Sequence, residues 1–236
     1  MKMRLHLIMG LILMLGTALQ AQKDKCGTML YDQYMLSQYP QLAAIRKQAR
    51  VETRENPKIP SFHKLSSAVI TIPVVVHVVY NTPLQNISDA QIQSQITVLN
   101  NDYRKLNADT TLIPLPWRTI AADVGIEFCL AKKDPAGNDT NGITRTSTTV
   151  TQFNYDNQVK KTSTKGQDPW DPTKYLNLWV CNLGTSLYGF AQFPSDFSTS
   201  PSTDGVVINY TAFGTSGAAK APSNKGRTAT HEIAHW

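Results

Sequence analysis

The stretch VITIPVVVHVVY, from Val69 to Tyr80, sets the architecture of this sequence. Almost every residue in it is apolar or β-branched, and the polar alternation of a half-exposed strand is missing. A continuous apolar run of this kind predicts a strand that is buried on both faces of a sheet. Pro73 is expected near the start of the strand or at a bulge. His77 is expected to be a packed strand residue rather than a metal ligand.

A long helix with one apolar face is predicted directly after this strand. Ser88 is placed to be its N-cap, and Gln91 is placed to be the reciprocal half of a capping box. Apolar residues then recur at spacings of four, three, four and three, at Ile92, Ile96, Leu99, Tyr103 and Leu106. This spacing predicts a helix from Ser88 to Leu106 that packs one face against the sheet.

Shorter elements follow in the rest of the chain. Strand-like runs cover 126–132, 142–150, 176–183 and 205–210, and a short helix is expected over 117–122. Gly-, Pro- and Asn-containing segments such as Asp134–Asn138 separate these runs, which is typical of turns.

Composition and charge exclude several classes of protein. The chain has 236 residues, of which 41% are hydrophobic and 17% charged. That is enough apolar material for one globular domain with a small appendage, and it excludes a disordered tail, a collagen repeat and a coiled coil. The net charge of +6 comes from residues 1–66, because residues 67–236 hold 13 basic and 13 acidic residues. A nucleic-acid partner is therefore not expected, since its basic face should lie on the folded domain.

The first 21 residues are typical of a secretory signal peptide. Lys2 and Arg4 precede an apolar stretch from Leu5 to Leu19, and Ala21 supplies a small residue for cleavage. An uncleaved anchor is the alternative, but the apolar run is short for a membrane span. We therefore expect export, to the extracellular medium or to the periplasm or outer surface of a bacterium, without stable membrane insertion after cleavage.

Residues 22–66 form a segment without a strong core pattern. It contains helix-tolerant material up to Arg54 and then the two prolines of the run Glu55–Pro60, which predict a linker. Basic residues between Arg50 and Lys64 make this linker a good target for proteases.

The chemistry lies in the last six residues, HEIAHW, where His231, Glu232 and His235 match the pattern H-E-x-x-H. Residues four apart lie on one face of a helix, so two imidazoles can bind one zinc ion. Glu232 lies next to the first ligand and can act as general base toward a zinc-activated water. This arrangement predicts hydrolysis of a peptide bond. The alternative is a surface helix on which the two histidines occur by chance and bind no metal.

The chain resembles the pappalysin family of metallopeptidases, a branch of the metzincins, of the secreted bacterial type. The resemblance covers about residues 69–236 in order and is more specific than the metal motif alone. It is carried by residues 72–80, 87–92, 99–103, 126–131, 142–145, 176–181, 188–194, 204–208 and 228–233.

The resemblance implies an α+β fold of the zincin type, the N-terminal subdomain of a metzincin. That fold has a mixed twisted β-sheet, a backing helix at Ser88–Leu106 and an active-site helix that carries the metal ligands. It also implies a zinc endopeptidase with His231 and His235 as ligands, Glu232 as general base, and protein or peptide substrates. Residues 188–194 would be the edge strand along which substrate lies extended. Calcium is implied by the resemblance only.

The run Cys26-Gly27-Thr28 resembles the cysteine-bearing start of latent members of this family. A thiolate is a good zinc ligand, so Cys26 in the fourth coordination site would displace the catalytic water. Cleavage of the linker would then release it. The resulting division is a signal peptide at 1–21, a pro-segment at 22–66 and a metallopeptidase domain at 67–236. The alternative is an unpaired, disordered cysteine, or one that is bonded to a partner outside this chain.

The sequence departs from the family pattern at its end. The family motif continues to a third histidine six residues beyond His235, whereas this sequence ends at Trp236. Catalytic zinc sites usually have three protein ligands. We therefore expect this chain to be a truncated fragment that binds zinc weakly and cleaves little. Substrate preference cannot be predicted from it.

Two hypotheses of other classes compete with the zymogen. One is a secreted, non-catalytic binding domain on a degenerate metallopeptidase scaffold. The other is an exported structural or adhesive protein, which would contain no zinc.

The three cysteines leave disulfide pairing open. Cys129 and Cys181 both lie in strand-like runs and could pair, and the alternative is two buried free thiols.

Overall fold

The computed structural model describes residues 25–55 and 69–236. The expected signal peptide and the two linker prolines lie outside these residues. The helices within them are α1 (Thr28–Gln38), α2 (Leu42–Glu55), α3 (Asp89–Tyr103) and α4 (Arg227–Ile233). The strands are β1 (Ile70–Tyr80), β2 (Ile126–Leu130), β3 (Ile143–Ser147), β4 (Leu176–Cys181), β5 (Gly189–Ala191) and β6 (Val206–Asn209).

The stretch from Ile70 to Tyr80 is the centre of the sheet, as its apolar run predicts. The strand order is β2-β1-β4-β6-β5, and β3 pairs with the second half of β1 beyond the end of β2. All pairings are parallel except that of β5 with β6, so β5 is an antiparallel edge strand. The predicted α+β fold with a mixed sheet, a backing helix and an active-site helix is therefore confirmed.

Two apolar cores lie on opposite faces of this sheet. The first packs α3 and α4 against the sheet and includes Ile92, Ile96 and Ile233. The second contains Trp179 and Phe190 together with buried residues of the N-terminal helices. A strand such as β1 contributes to both cores, which is why its sequence is apolar without alternation.

The N-terminal segment contributes more to the core than its sequence predicts. Tyr31 and Met35 of α1 and Leu42 of α2 are all fully buried in the second core. The Tyr31 ring lies 4.9 Å from the Phe190 ring on β5. Residues 25–55 therefore wrap over the edge strand and cover part of one sheet face.

The backing helix α3 has the N-cap that the sequence predicts, but it ends earlier than predicted. Ser88 accepts a hydrogen bond from the Gln91 backbone nitrogen at 3.2 Å, as an N-cap should. The Gln91 side chain does not complete the capping box, because its amide instead binds the carbonyls of Tyr210 and Phe213. The helix ends at Tyr103, not at Leu106, and Leu106 is 70% exposed rather than buried.

The smaller predicted elements are present with shorter bounds. The expected helix over 117–122 is wrong, since a 3-10 turn at Leu115–Trp117 takes its place. Residues 118–120 continue as turns, and Trp117 and Ile120 are exposed, so no buried apolar face stabilises a short helix there. Among residues 25–55 and 69–236, no helix combines the length and apolarity that a membrane span requires.

His77 is a packed residue of the central strand, as predicted. It is fully buried, and its ring nitrogens lie 2.8 Å from Thr144 Oγ1 and 2.9 Å from Asn177 Oδ1. Burial lowers the pKa of this imidazole from 6.5 to about 4. The hydrogen bond to Asn177 acts in the opposite direction but does not offset the burial.

This burial predicts a specific acid lability. Between pH 6.5 and about 4 the unfolded chain protonates His77 and the folded chain does not, so stability falls as the pH is lowered through that range. The loss should reach about 3 kcal/mol at the acid end. Urea unfolding of the wild type and of His77→Gln at pH 7 and pH 4.5 measures it. Equal pH dependence in the two proteins would contradict the prediction.

Candidate metal centre

The active-site helix begins at a glycine that no other residue can easily replace. Gly226 precedes α4 in the left-handed conformation, at φ 70°. A Cβ at this position would lie about 3.0 Å from both γ-carbons of Val98 on α3. Ala229 and Ile233 then bury one face of the helix in the first core. The close approach of the two helices fixes which face of α4 is turned outward.

Polar contacts to α3 fix the position of α4 further. Thr230 Oγ1 donates to Asp102 Oδ2 at 2.7 Å, and Arg227 Nε lies 3.2 Å from the same oxygen. The Tyr103 hydroxyl donates to the Thr230 carbonyl at 3.3 Å. These contacts hold α4, which carries His231 and leads into the turn at His235, against the backing helix.

Four potential ligands converge beside this helix. The Nε2 atoms of His231 and His235 lie 3.1 Å apart, and Cys26 Sγ lies 3.7 Å from His235 Nε2. One ligand atom from each of Cys26, His231, Glu232 and His235 lies within 4.8 Å of all the others. The structure thus brings together all four residues that the sequence singles out, although Cys26 is more than 200 positions away from the helix.

The spacing of these atoms suits a zinc ion. Tetrahedral bonds of about 2.05 Å to nitrogen and 2.3 Å to sulfur place two nitrogens about 3.3 Å apart, and nitrogen and sulfur about 3.6 Å apart. The observed separations of 3.1 and 3.7 Å match both values closely. Two imidazoles and one thiolate also favour zinc over calcium or magnesium, because those two ions prefer oxygen ligands.

Glu232 is buried directly behind this cluster. Its carboxylate accepts hydrogen bonds from Thr28 Oγ1 at 2.8 Å and from Cys26 Sγ at 3.5 Å. Gly189 on β5 leaves the room it needs, because a Cβ there would lie 2.9 Å from Glu232 Cγ. The carboxylate therefore points toward the cluster and is covered by residues of the N-terminal segment.

The pKa of the Cys26 thiol depends on whether the cluster binds a cation. Burial, and then the neighbouring Glu232 charge, raise the pKa of the Cys26 thiol. A divalent cation acts in the opposite direction and favours the thiolate.

The N-terminal segment lies along the edge of the sheet. The Gly27 nitrogen donates to the Gly189 carbonyl at 2.7 Å, and the Tyr188 nitrogen donates to the Lys25 carbonyl at 2.8 Å. Cys26 and Gly189 form a parallel bridge through these bonds. Of residues 188–194, predicted to be an edge strand, only Gly189–Ala191 form the strand at the sheet edge, and Pro194 begins a 3-10 turn. In this structure Lys25–Gly27 is the segment that pairs with that edge, through a single bridge at Cys26.

A cleft of about 660 Å³ opens beside the cluster. Its walls come from the N-terminal segment, the edge strand, the loop before α4 and α4 itself. They include Lys25, Cys26, Tyr188, Pro222, Lys225, His231 and Glu232.

Two further contacts hold the N-terminal segment on the domain, and the sequence did not reveal either. Lys160 is fully buried, and its ammonium donates to the Thr203 carbonyl at 2.6 Å and to the Tyr31 hydroxyl at 3.2 Å. Burial lowers the pKa of Lys160 to about 7. Arg46 of α2 binds Asp196, whose side chain is only 1% exposed, through a bidentate pair in which Nη2 donates to Oδ2 at 2.8 Å and Nε donates to Oδ1 at 3.2 Å.

The possible pairing of two cysteines is wrong in this structure. Cys129 on β2 aligns with Pro73 of β1, whereas Cys181 on β4 lies one residue past the partner of Val78. The two thiols are therefore about six residues apart along the sheet, about 20 Å, and on opposite sides of β1. A disulfide requires Cα atoms within about 7 Å. Both are free thiols, and Cys129 is exposed rather than buried.

Comparisons with known proteins place this geometry in a family. The chain matches no family-level sequence model. An extracellular metalloprotease of Arthroderma gypseum is 26% identical over 243 residues, covering 99% of this chain and 64% of that relative. The structure of a variant of Tannerella forsythia promirolysin is 46% identical with a TM-score of 0.79, covering 90% of this chain and 68% of that one.

The chain belongs to the mirolysin family of metalloproteases. Mature Tannerella forsythia mirolysin in complex with a cleaved peptide is 55% identical, with a TM-score of 0.70, over 72% of this chain and 64% of that one. The chain thus spans just under two thirds of mature mirolysin and of the fungal relative. The extracellular location expected from the signal peptide agrees with the names of the curated relatives.

The Arg46–Asp196 pair generates a prediction about the N-terminal segment of this mirolysin-family chain. Arg46→Ala leaves the Asp196 carboxylate buried without its cation, which should cost about 3 kcal/mol. Hydrogen exchange should speed up in α1 and α2 and stay unchanged in β1 and β4. Lys47→Ala, an exposed neighbour on the same helix, is the matched control. Identical exchange in both variants would show that the pair does not hold the segment.

Proposed function

We propose that this chain is the latent N-terminal part of an exported zinc endopeptidase of the pappalysin type. Cys26 Sγ, His231 Nε2 and His235 Nε2 lie at separations that suit one zinc ion, and this observation carries the proposal. Membership of a metalloprotease family supports the assignment of this cluster to a metal-dependent protease. Protein or peptide substrates and the activity itself belong to the proposal for the whole protein.

The division of the chain is part of the proposal: a signal peptide at 1–21, a pro-segment at 22–66 and a metallopeptidase domain at 67–236. The structural comparisons support it. The match to the promirolysin variant covers 90% of this chain, and the match to mature mirolysin covers 72%. The difference, 18% of 236 residues, is about 42 residues. Residues 25–66 are a segment of that length.

Latency follows from what the pro-segment covers. Cys26 lies where its thiolate completes a set of three zinc ligands with the two histidines, and Thr28 donates a hydrogen bond to Glu232. Lys25–Gly27 meanwhile takes up the edge-strand hydrogen bonds that an extended substrate would use. One short segment thus blocks the metal, the base and the substrate strand together.

Removal of the pro-segment leaves each of these groups available. Zinc, when bound, supplies Lewis-acid chemistry that acidifies water and polarises a peptide carbonyl. Glu232 then loses the hydrogen bond from the Thr28 hydroxyl and the cover of the Cys26 side chain, and its carboxylate can accept a proton from water and pass it to the leaving amine. Residues 188–191 offer backbone groups that orient the peptide beside the two histidines. The placement of Glu232 favours an enzyme over a non-catalytic binding domain.

The role of Glu232 can be tested separately from zinc binding. In the natural full-length, mature protein, Glu232→Ala should lower peptide cleavage by at least about a hundredfold and leave the zinc content unchanged. Glu127→Ala, which removes a partly exposed carboxylate on β2, is the matched control. Cleavage assays and metal analysis of the same preparations measure both effects. Retained cleavage in Glu232→Ala would refute the general-base role.

The role of Cys26 generates a second prediction. In the full-length precursor, Cys26→Ala removes one zinc ligand and opens that coordination position to water, so the precursor should process itself earlier than the wild type. Cys129→Ala, which alters an exposed thiol elsewhere on the sheet, should process at the wild-type rate. A gel time course follows both. Unchanged latency of the Cys26 variant would count against its role as the zinc-binding latch.

A further inference from the structure

The second proposed zinc ligand lies beyond the end of the helix that carries the first. α4 ends at Ile233, and His235 lies in the turn that follows it. The backbone nitrogens of His235 and Trp236 both donate to the Glu232 carbonyl, at 3.0 and 3.2 Å, so two bonds share one acceptor. A helix of seven residues is marginal on its own and frays at its end. The position of His235 therefore depends on contacts that the turn makes with the rest of the domain.

Trp236 makes such a contact with the sheet. Its indole Nε1 donates to Asp204 Oδ2 at 3.0 Å, and its ring packs against the first core. A hydrogen bond to a carboxylate is about twice as strong as one between neutral groups. Because Trp236 directly follows His235 in the chain, this bond holds the far end of the turn.

Asp204 is a rigid attachment point for this bond. It is 4% exposed and lies just before β6, which pairs with β4. Gly205, the next residue, has a φ of 125°, and a Cβ there would lie 2.3 Å from the Asn177 carbonyl oxygen. The backbone beside Asp204 is thus packed directly against the neighbouring strand, and the bond to Trp236 connects the turn to the sheet.

A buried cation stands beside this carboxylate. The Lys160 ammonium donates to the carbonyl of Thr203, the residue before Asp204, at 2.6 Å. Burial raises the pKa of the Asp204 carboxyl, and the hydrogen bond from Trp236 and then the Lys160 charge act in the opposite direction. A buried carboxylate is costly without such partners. The Trp236 bond is therefore one of the contacts that stabilise a charged group at this position.

The separation of the two imidazoles leaves little room for movement of the turn. His231 Nε2 and His235 Nε2 lie 3.1 Å apart, close to the separation of about 3.3 Å that tetrahedral zinc requires. In the latent chain Cys26 Sγ also contacts His235 Nε2, at 3.7 Å. That contact leaves with the pro-segment, whereas Trp236 and Asp204 both belong to the proposed metallopeptidase domain. The indole–carboxylate bond is therefore retained when the pro-segment is removed.

We propose that Asp204 is a positioning residue of the metal centre. By binding the Trp236 indole, it holds the turn beyond α4 so that His235 can bind the same zinc ion as His231. Asp204 acts through the residue next to a ligand and is not itself a ligand. The inference rests on the proposed function, because it takes the two histidines as zinc ligands.

Zinc titration of the natural full-length, mature protein tests this role. The parent protein and every variant carry Glu232→Ala, so that the protein does not digest itself, and competition with a chromogenic chelator gives the zinc Kd. Asp204→Leu removes the acceptor at similar size and should weaken zinc binding about tenfold, because residues that orient a metal ligand have effects of that order. Asp204→Asn keeps an oxygen that the indole can bind and should return the Kd to within about threefold of the parent.

Asn100→Leu is the matched control. Asn100 Oδ1 accepts from the Phe128 nitrogen at 2.7 Å, and its Nδ2 donates to the Phe128 carbonyl at 3.0 Å, so this variant loses side-chain hydrogen bonds away from the metal cluster. It should unfold at a lower urea concentration and keep the parent's zinc Kd. Equal zinc affinity in Asp204→Leu and the parent would overturn the proposal. Equal losses of affinity in Asp204→Leu and Asn100→Leu would also overturn it, as would an Asp204→Asn variant as weak as Asp204→Leu.

Trp236→Phe tests the same bond from its other partner. It keeps an aromatic ring and removes the N–H, so it should weaken zinc binding about as much as Asp204→Leu. The double variant should bind no more weakly than the weaker single variant, because both changes remove one interaction. Losses that add in full would contradict the proposal. If Asp204→Leu does not fold, Trp236→Phe decides alone, and an unchanged Kd in it overturns the proposal.

Cobalt in place of zinc gives a signature that a loss of stability does not change. The visible absorption bands of bound cobalt(II) report the geometry of its ligands. At saturating cobalt, Asp204→Leu and Trp236→Phe should shift these bands, and Asn100→Leu should not. Bands identical to those of the parent in the first two variants would overturn the positioning role.

The titration also separates failure of this inference from failure of the proposed function. A parent protein that binds no zinc would refute the proposed metal centre itself. Tight zinc binding by the parent and by all variants alike would refute the positioning role of Asp204 and leave the proposed function standing.

Discussion

Gly189 is the residue at which the edge strand, the helix α4 and the N-terminal segment meet. Its carbonyl accepts from the Gly27 nitrogen, and its missing side chain leaves the space that the Glu232 stem occupies. A Cβ at this position would lie within about 3 Å of Glu232, of Ile208 and of the Val207 carbonyl. The Glu232 side chain can lie beside the metal cluster because the strand has no side chain at this position.

The fold could be predicted where the residue pattern within one element shows which of its faces are buried. The apolar run of β1 shows burial on both faces, and the helical spacing of Ile92, Ile96 and Leu99 shows the face of α3 that meets the sheet. The prediction failed at the end of α3, because the tertiary structure determines where that helix stops. Leu106 continues the helical spacing but lies beyond the helix end, and Lys105 just before it has a positive φ.

The metal centre, likewise, could be predicted only in part. His231 and Glu232 lie in α4, and His235 lies in the turn that continues from its end, so their spacing in the sequence is enough to predict that they lie close together. Cys26 entered only through a family resemblance, because no local pattern connects it to residues 200 positions away. Thr28, Arg46 and Lys160 were missed for the same reason. Each is paired across a long sequence separation, with Glu232, Asp196 and Tyr31 respectively.

The central claim is that one sulfur and two imidazole nitrogens of this chain bind a single zinc ion in the latent form. X-ray absorption of the zinc-loaded precursor tests it most directly. The account predicts one sulfur at about 2.3 Å and two histidine nitrogens at about 2.0 Å. Cys26→Ala should lose the sulfur shell and keep the imidazoles. A spectrum of oxygen neighbours alone, or one that is the same with and without Cys26, would contradict the account.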